Sequence, residues 1–134
     1  AVVPGASASF GRGGGTDSYG AKLTALGVGR AVLDAEGAVS APVATQMAQR
    51  VRDIAQTGWA VATTGVAGPT GGTAANPVGT VYIGLAHAGA WGSEASFARA
   101  EHRSVEGDRQ AVKYGFAVAA LELLAEAIAT TPEA

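Results

Sequence analysis

Residues 63–85 read TTGVAGPTGGTAANPVGTVYIGL. Gly65, Gly68, Gly71, Gly72 and Gly79 punctuate the middle of this stretch, and Gly84 follows. A loop with glycines this close together, placed after an apolar strand, presents its backbone N–H groups unobstructed. Such amide nests bind anions, phosphate above all. The segment has no Gly-Lys-Ser/Thr ending, and no G-x-G-x-x-G opens a helix, so it is neither a Walker loop nor a dinucleotide fingerprint. The competing reading is an ordered surface loop between two strands, with Pro69 and Pro77 limiting its freedom. Thr63 and Thr64 stand at the carboxyl end of the preceding strand, where open α/β sheets place ligands.

Three other residues carry chemistry of interest. Lys22 is the only lysine before Lys113 and follows the polar turn TDSYG; by default it is a solvated surface lysine. Arg109 opens the last apolar segment, in EGDRQAVK. A cation at a helix start opposes the dipole, so it serves either an anion or an ion pair with Asp108 or Glu106. Ser7, in PGAS, is a turn residue by default. His87 and His102 are too few and too isolated for a metal cluster, and the chain has no cysteine. No metal and no cofactor is expected.

The elements that must hold these residues follow from periodicity. A helix is expected after Ser40, its N-cap, with Pro42 in the first turn and an apolar stripe of Val43, Met47, Val51 and Ile54. Gly58 is the expected stop. Residues 59–65 and 78–88 read as buried strands, and 93–104 as a third, more exposed one. Residues 107–129 read as a long helix with Val112, Phe116, Ala119, Ala120, Leu123 and Ile128 toward a sheet and Asp108 in its first turn. Residues 21–29 read as a short helix stopped by Gly27, and 10–19 as a glycine-weakened strand. The loop between 59–64 and 79–86 holds no helix, so these strands are expected to be antiparallel neighbours. Helices around several strands give an α/β layered domain spanning 1–134. Its 134 residues, 48% hydrophobic and 15% charged, exclude a disordered chain. The formal charge of −2 gives no nucleic-acid footprint. No apolar run is long enough to span a membrane, and the first residues do not form a signal peptide. A cytoplasmic location is the default.

The 63–85 segment resembles the signature of the CinA carboxyl-terminal family of competence/damage-inducible proteins, in which a strand ends in T-G-I-A-G-P-x-G-G-T and K-P-V-G-T-V-Y follows after a variable pair. Val66 stands for the family's Ile and Asn76 for its Lys. VPGAS (3–7), FGRG, SYGAKLTALGV, GAVS (37–40) and EGDRQAVK (106–113) also match, so the resemblance covers essentially the whole chain. It implies a three-layer α/β/α fold, like an anticodon-binding domain, with a mixed, mostly parallel sheet. It also implies a nicotinamide-nucleotide amidase that converts nicotinamide mononucleotide to nicotinate mononucleotide and ammonia by acyl transfer to a serine.

Lys22 then corresponds to the family's lysine, the base that replaces histidine. Asp17 takes the position of the family's tyrosine, and Tyr19 lies two residues on. The resemblance puts Lys22, Ser7, Thr64 and Tyr19 at the catalytic centre. It puts Gly65, Ala67, Gly68, Gly71, Gly72 and Arg109 around the nucleotide substrate, with Arg109 toward its phosphate. The nucleophile is expected in an A-E-S-x-T-G-G segment upstream of Ala1. The other function weighed is a catalytically silent nucleotide-binding or regulatory domain. A homo-oligomer is expected, with no nucleic-acid or membrane partner.

Overall fold

The computed structural model describes residues 23–89 and 95–131. Their order is α1 (Arg30–Glu36), α2 (Ala41–Ala55), β1 (Trp59–Gly65), β2 (Thr80–His87), β3 (Phe97–Ser104) and α3 (Arg109–Thr130), after a helical turn at 23–26. β1 and β2 are buried almost throughout, which is why neither shows the polar alternation of a one-faced strand. β3 is half-exposed.

The sheet runs β1-β2-β3. Thr63 lies opposite Ile83 and Gly65 opposite Val81, antiparallel as expected. β3 is antiparallel to β2 as well, so the described part of the sheet holds no parallel ladder. The physical reason lies in the connections. Neither 66–79 nor the described part of 88–96 contains the helix that a parallel crossover needs.

The helix–sheet–helix layering follows from side-chain alternation. Val61, Val81, Ile83 and Leu85 point to one face and pack against Phe116, Leu123 and their neighbours on α3. Ala62 and Ala86 point to the other and pack against Val43, Met47 and Ala48 of α2. The α2 face of the sheet is built from small residues, so the helix comes very close. A Cβ on Gly84 would lie 1.9 Å from the carbonyl oxygen of Ala44.

Ser40 caps α2 as the sequence predicts, its Oγ accepting from the Val43 amide at 3.4 Å, with Pro42 in the first turn. The helix ends before Gly58: Gln56 takes the left-handed conformation (φ 52°) and closes it. Ile54 does not join the stripe and is 63% exposed. Arg52 already reaches the carbonyl of His87, the last residue of β2, at 3.1 Å, so Ile54 has no sheet beneath it. Ile128 also departs from expectation. It lies off the Val112–Phe116–Ala120–Leu123–Ala127 face of α3 and is exposed. Gly27, at φ 110°, stops the 23–26 turn. The sequence did not suggest α1, which buries none of its own residues. No helix among the described residues is long and apolar enough to cross a membrane.

Candidate functional site

The glycine loop, residues 66–79, is fastened at three places. At its base, the Val66 amide donates to the Thr80 carbonyl (2.9 Å) and the Gly79 amide to the Val66 carbonyl (2.7 Å). At its tip, the Thr73 amide donates to the Asn76 carbonyl and the Asn76 amide to Thr73 Oγ1, both at 2.9 Å. Its flank is tied to the turn before α2. Fully buried Thr64 donates through Oγ1 to the Ala38 carbonyl (2.8 Å), and Asn76 Nδ2 donates to the Val39 carbonyl (3.0 Å). Ser40 holds that turn from within, donating through Oγ to Gly37 O at 2.8 Å. The GAVS and glycine-loop matches are thus two halves of one hydrogen-bonded unit.

Arg109 closes the unit from the other side of the sheet. Its Nη1 donates to the Gly68 carbonyl at 2.7 Å, across 41 residues of sequence. Neither Asp108 nor Glu106 forms a salt bridge with it among the described residues. Asp108 instead caps α3 as the N-cap itself, one position earlier than expected, its Oδ1 accepting from the Ala111 amide at 2.8 Å. The cation that opposes the helix dipole is therefore turned onto the loop.

Some glycines are explained without any ligand. A Cβ on Gly65 would lie 2.5 Å from the Thr80 carbonyl oxygen and 2.7 Å from the Phe116 ring, so the strand end can meet α3 only as glycine. Gly68 combines φ 80° with a Cβ site 2.5 Å from Val78 Cγ1, and its peptide to Pro69 is cis. The loop packs on itself, which answers part of why side chains are missing for so long.

The amides tell a different story. Those of Ala67, Gly68, Gly71 and Gly72 donate to no acceptor among the described residues. Ala67 and Gly68 are nevertheless buried, where an unengaged N–H is uncommon. A cleft of about 140 Å³ opens between the loop and the 37–40 turn, bordered by Glu36, Val39, Val66, Gly71, Thr73 and Asn76, so Gly71 is the one residue of these four that lines it. It is smaller than a whole small-molecule site.

The structure thus brings Thr64, Gly65, Ala67, Gly68, Gly71, Gly72 and Arg109 to one end of the sheet. Lys22, Ser7 and Tyr19 lie outside the described residues. Sequence reasoning did not single out Glu36 or place Asn76 in the site. The signal available was the GAVS match, whose carbonyls turn out to receive Thr64 and Asn76.

The family model described as the CinA C-terminal domain matches residues 1–128. The chain belongs to the CinA C-terminal domain family. This CinA domain is 45% identical, over 123 residues, to a CinA-like protein of Anaeromyxobacter sp. (strain K), a match covering 92% of this chain and 28% of the relative. Among solved structures it is similar to the competence/damage inducible protein CihA from Agrobacterium tumefaciens, with 31% identity and a TM-score of 0.68, covering 83% of this chain and 63% of that one. It is also similar to the competence damage-inducible protein A of Klebsiella pneumoniae subsp. pneumoniae, with 28% identity and a TM-score of 0.71, covering 84% and 65%. The chain spans between 20% and 28% of the length of the first curated relatives it matches.

Proposed function

We propose that this CinA domain forms the nucleotide-binding part of an amidase acting on nicotinamide mononucleotide, releasing nicotinate mononucleotide and ammonia. The observation that supports it is the set of unengaged amides at Ala67, Gly68, Gly71 and Gly72, on a loop whose Gly68 carbonyl accepts from the guanidinium of Arg109. Preorganised N–H donors next to a cation suit two negative charges. One is the substrate phosphate; the other is the oxyanion that forms when a serine adds to the carboxamide carbon. Arg109 has donors beyond the one given to Gly68, and a phosphate is a fitting acceptor for them. The nucleophile is the serine of the A-E-S-x-T-G-G segment that the family resemblance places before Ala1. Lys22 is its base, taking the hydroxyl proton and returning it to the departing ammonia. Water then hydrolyses the ester.

The test is ammonia release from nicotinamide mononucleotide by a form extended to carry the A-E-S-x-T-G-G segment. The reading expects turnover by that form, and loss of turnover with retained fold in its Lys22→Ala variant. A folded extended form that binds the nucleotide and releases no ammonia would leave a silent nucleotide-binding domain in its place.

A further inference from the structure

The cleft between the glycine loop and the 37–40 turn differs in chemistry from the rest of the loop. Three side chains with polar atoms border it: Glu36, Thr73 and Asn76. What each can still offer follows from the bonds it already makes. Asn76 turns its Nδ2 to the Val39 carbonyl, and its Oδ1 accepts nothing among the described residues. Glu36 ends α1 and brings two carboxylate oxygens that have no ion pair or hydrogen bond among the described residues. Thr73 Oγ1 accepts from the Asn76 amide at 2.9 Å, which leaves its O–H to donate. The unengaged Gly71 amide is the second donor at this cleft.

An anion is a poor occupant here, because Glu36 repels it and Asn76 Oδ1 offers it no proton. The family signature has a lysine where this chain has Asn76. A lysine would bring a cation to the cleft; asparagine leaves it rich in acceptors. A pair of neighbouring hydroxyls fits that inventory. Their protons go to the Glu36 and Asn76 oxygens, and their lone pairs receive the Thr73 hydroxyl and the Gly71 amide. Hydrogen bonds to a carboxylate are the stronger kind. The cationic end of the loop is close by. Arg109 holds the Gly68 carbonyl, and Gly71 is three residues further on, within about 11 Å even along a fully extended chain. A single nucleotide bridges such a span from phosphate to sugar.

We propose that this cleft is the ribose subsite of the nucleotide site, with Glu36 and Asn76 accepting from the 2′- and 3′-hydroxyls. The inference rests on the nucleotide reading above and adds an orientation: phosphate toward Arg109, sugar toward the 37–40 turn. Glu36 is then the residue that separates ribonucleotides from their deoxy counterparts. A polar group placed for a hydroxyl rejects the analogue that lacks it, since the group gives up its water and gains nothing.

Calorimetric titration of the chain with nicotinate mononucleotide and with its 2′,3′-dideoxy counterpart tests this. The chain should bind the ribonucleotide roughly tenfold or more tightly than the dideoxy form. Glu36→Ala should lower the ribonucleotide to about the dideoxy affinity, so that the discrimination collapses. Glu36→Gln, which keeps an acceptor oxygen without the charge, should fall between. Glu36 is exposed and α1 buries none of its own residues, so both variants should fold, and circular dichroism checks that they do. Equal affinity of the unaltered chain for the two ligands overturns the ribose subsite and leaves the nucleotide site standing. Discrimination that survives Glu36→Ala overturns it too; a parallel loss of both ligands would assign the carboxylate to the pyridinium charge instead. Binding of neither ligand overturns the nucleotide reading and this inference with it.

Discussion

Gly84→Ala adds one methyl group at the place where α2 lies closest to the sheet. The new Cβ would sit 1.9 Å from the Ala44 carbonyl oxygen, 2.5 Å from its carbon and 3.2 Å from Ala48 Cβ. The first two are backbone atoms of a helix, so no rotamer change relieves the contact. α2 must move away by about 1 Å to reach the shortest separation real contacts show. That shift loosens Val43, Met47 and Ala48, which are fully buried against the same face. Overpacking of this kind costs about 2–3 kcal/mol, because dense interiors cannot absorb a methyl group locally. For a domain of this size that is a fall in Tm of about 10 °C. The effect should also reach the candidate site, because Ser40 starts α2 and the 37–40 turn receives Thr64 and Asn76. Urea unfolding followed by circular dichroism measures the stability. Gly58→Ala is the matched control, since a Cβ there meets nothing within 4 Å. A loss below about 0.5 kcal/mol in Gly84→Ala, no larger than the control, would refute the close helix–sheet approach.

Two further outcomes are expected. On the proposed amidase reading, Arg109→Ala in the extended form should raise KM for nicotinamide mononucleotide while leaving the riboside nearly unaffected. It should also cost about 1–2 kcal/mol of stability from the lost charged hydrogen bond to Gly68; equal damage to nucleotide and riboside turnover would reduce Arg109 to a clasp on the loop. Hydrogen bonding from Arg99 holds the Glu101 carboxyl below its ordinary range; burial opposes it, and hydrogen bonding and charge from Arg103 and the charge of Arg99 add to the lowering. A carboxylate lowered on folding stabilises the protein above its unfolded value and loses that contribution as pH falls through the folded one. Glu101→Gln should therefore flatten the stability profile on the acid side only, by less than about 1 kcal/mol for a network this exposed; an unchanged acid limb in urea titrations would contradict the assignment.

Much of this architecture is legible in the sequence because burial leaves a dense signature. WAVATTG and TVYIGLAH contain no charged residue, and they are the strands covered on both faces. Ser40 and Pro42 mark the start of α2 because caps act through a single local hydrogen bond. Other features depend on tertiary placement and leave no local mark. Ile54 and Ile128 are apolar and near the expected period. Their exposure follows from where the sheet ends under α2 and from which way α3 is rolled. α1 is short, flanked by Gly29 and Gly37, and packs only marginally, so its period cannot be read. The antiparallel direction of β1 and β2 follows from a helix-free connection, whereas the mostly parallel sheet rested on the family resemblance. At the site, the glycine loop announces itself, but its dual character does not. Gly65 is glycine for Phe116 and Thr80, while the neighbouring amides remain open. Arg109 is legible as a cation out of place, and its target on Gly68 is not.

On the proposed function, the open amides of the 66–79 loop bind an anionic nucleotide. The most direct measurement is the backbone amide spectrum of the chain during titration with nicotinate mononucleotide. The Ala67, Gly68, Gly71 and Gly72 resonances should move together and saturably, with the side-chain signal of Arg109, while Gly58 at the opposite end of the sheet stays fixed. Loop amides that do not move at saturating nucleotide, or shifts confined to another part of the fold, would contradict it.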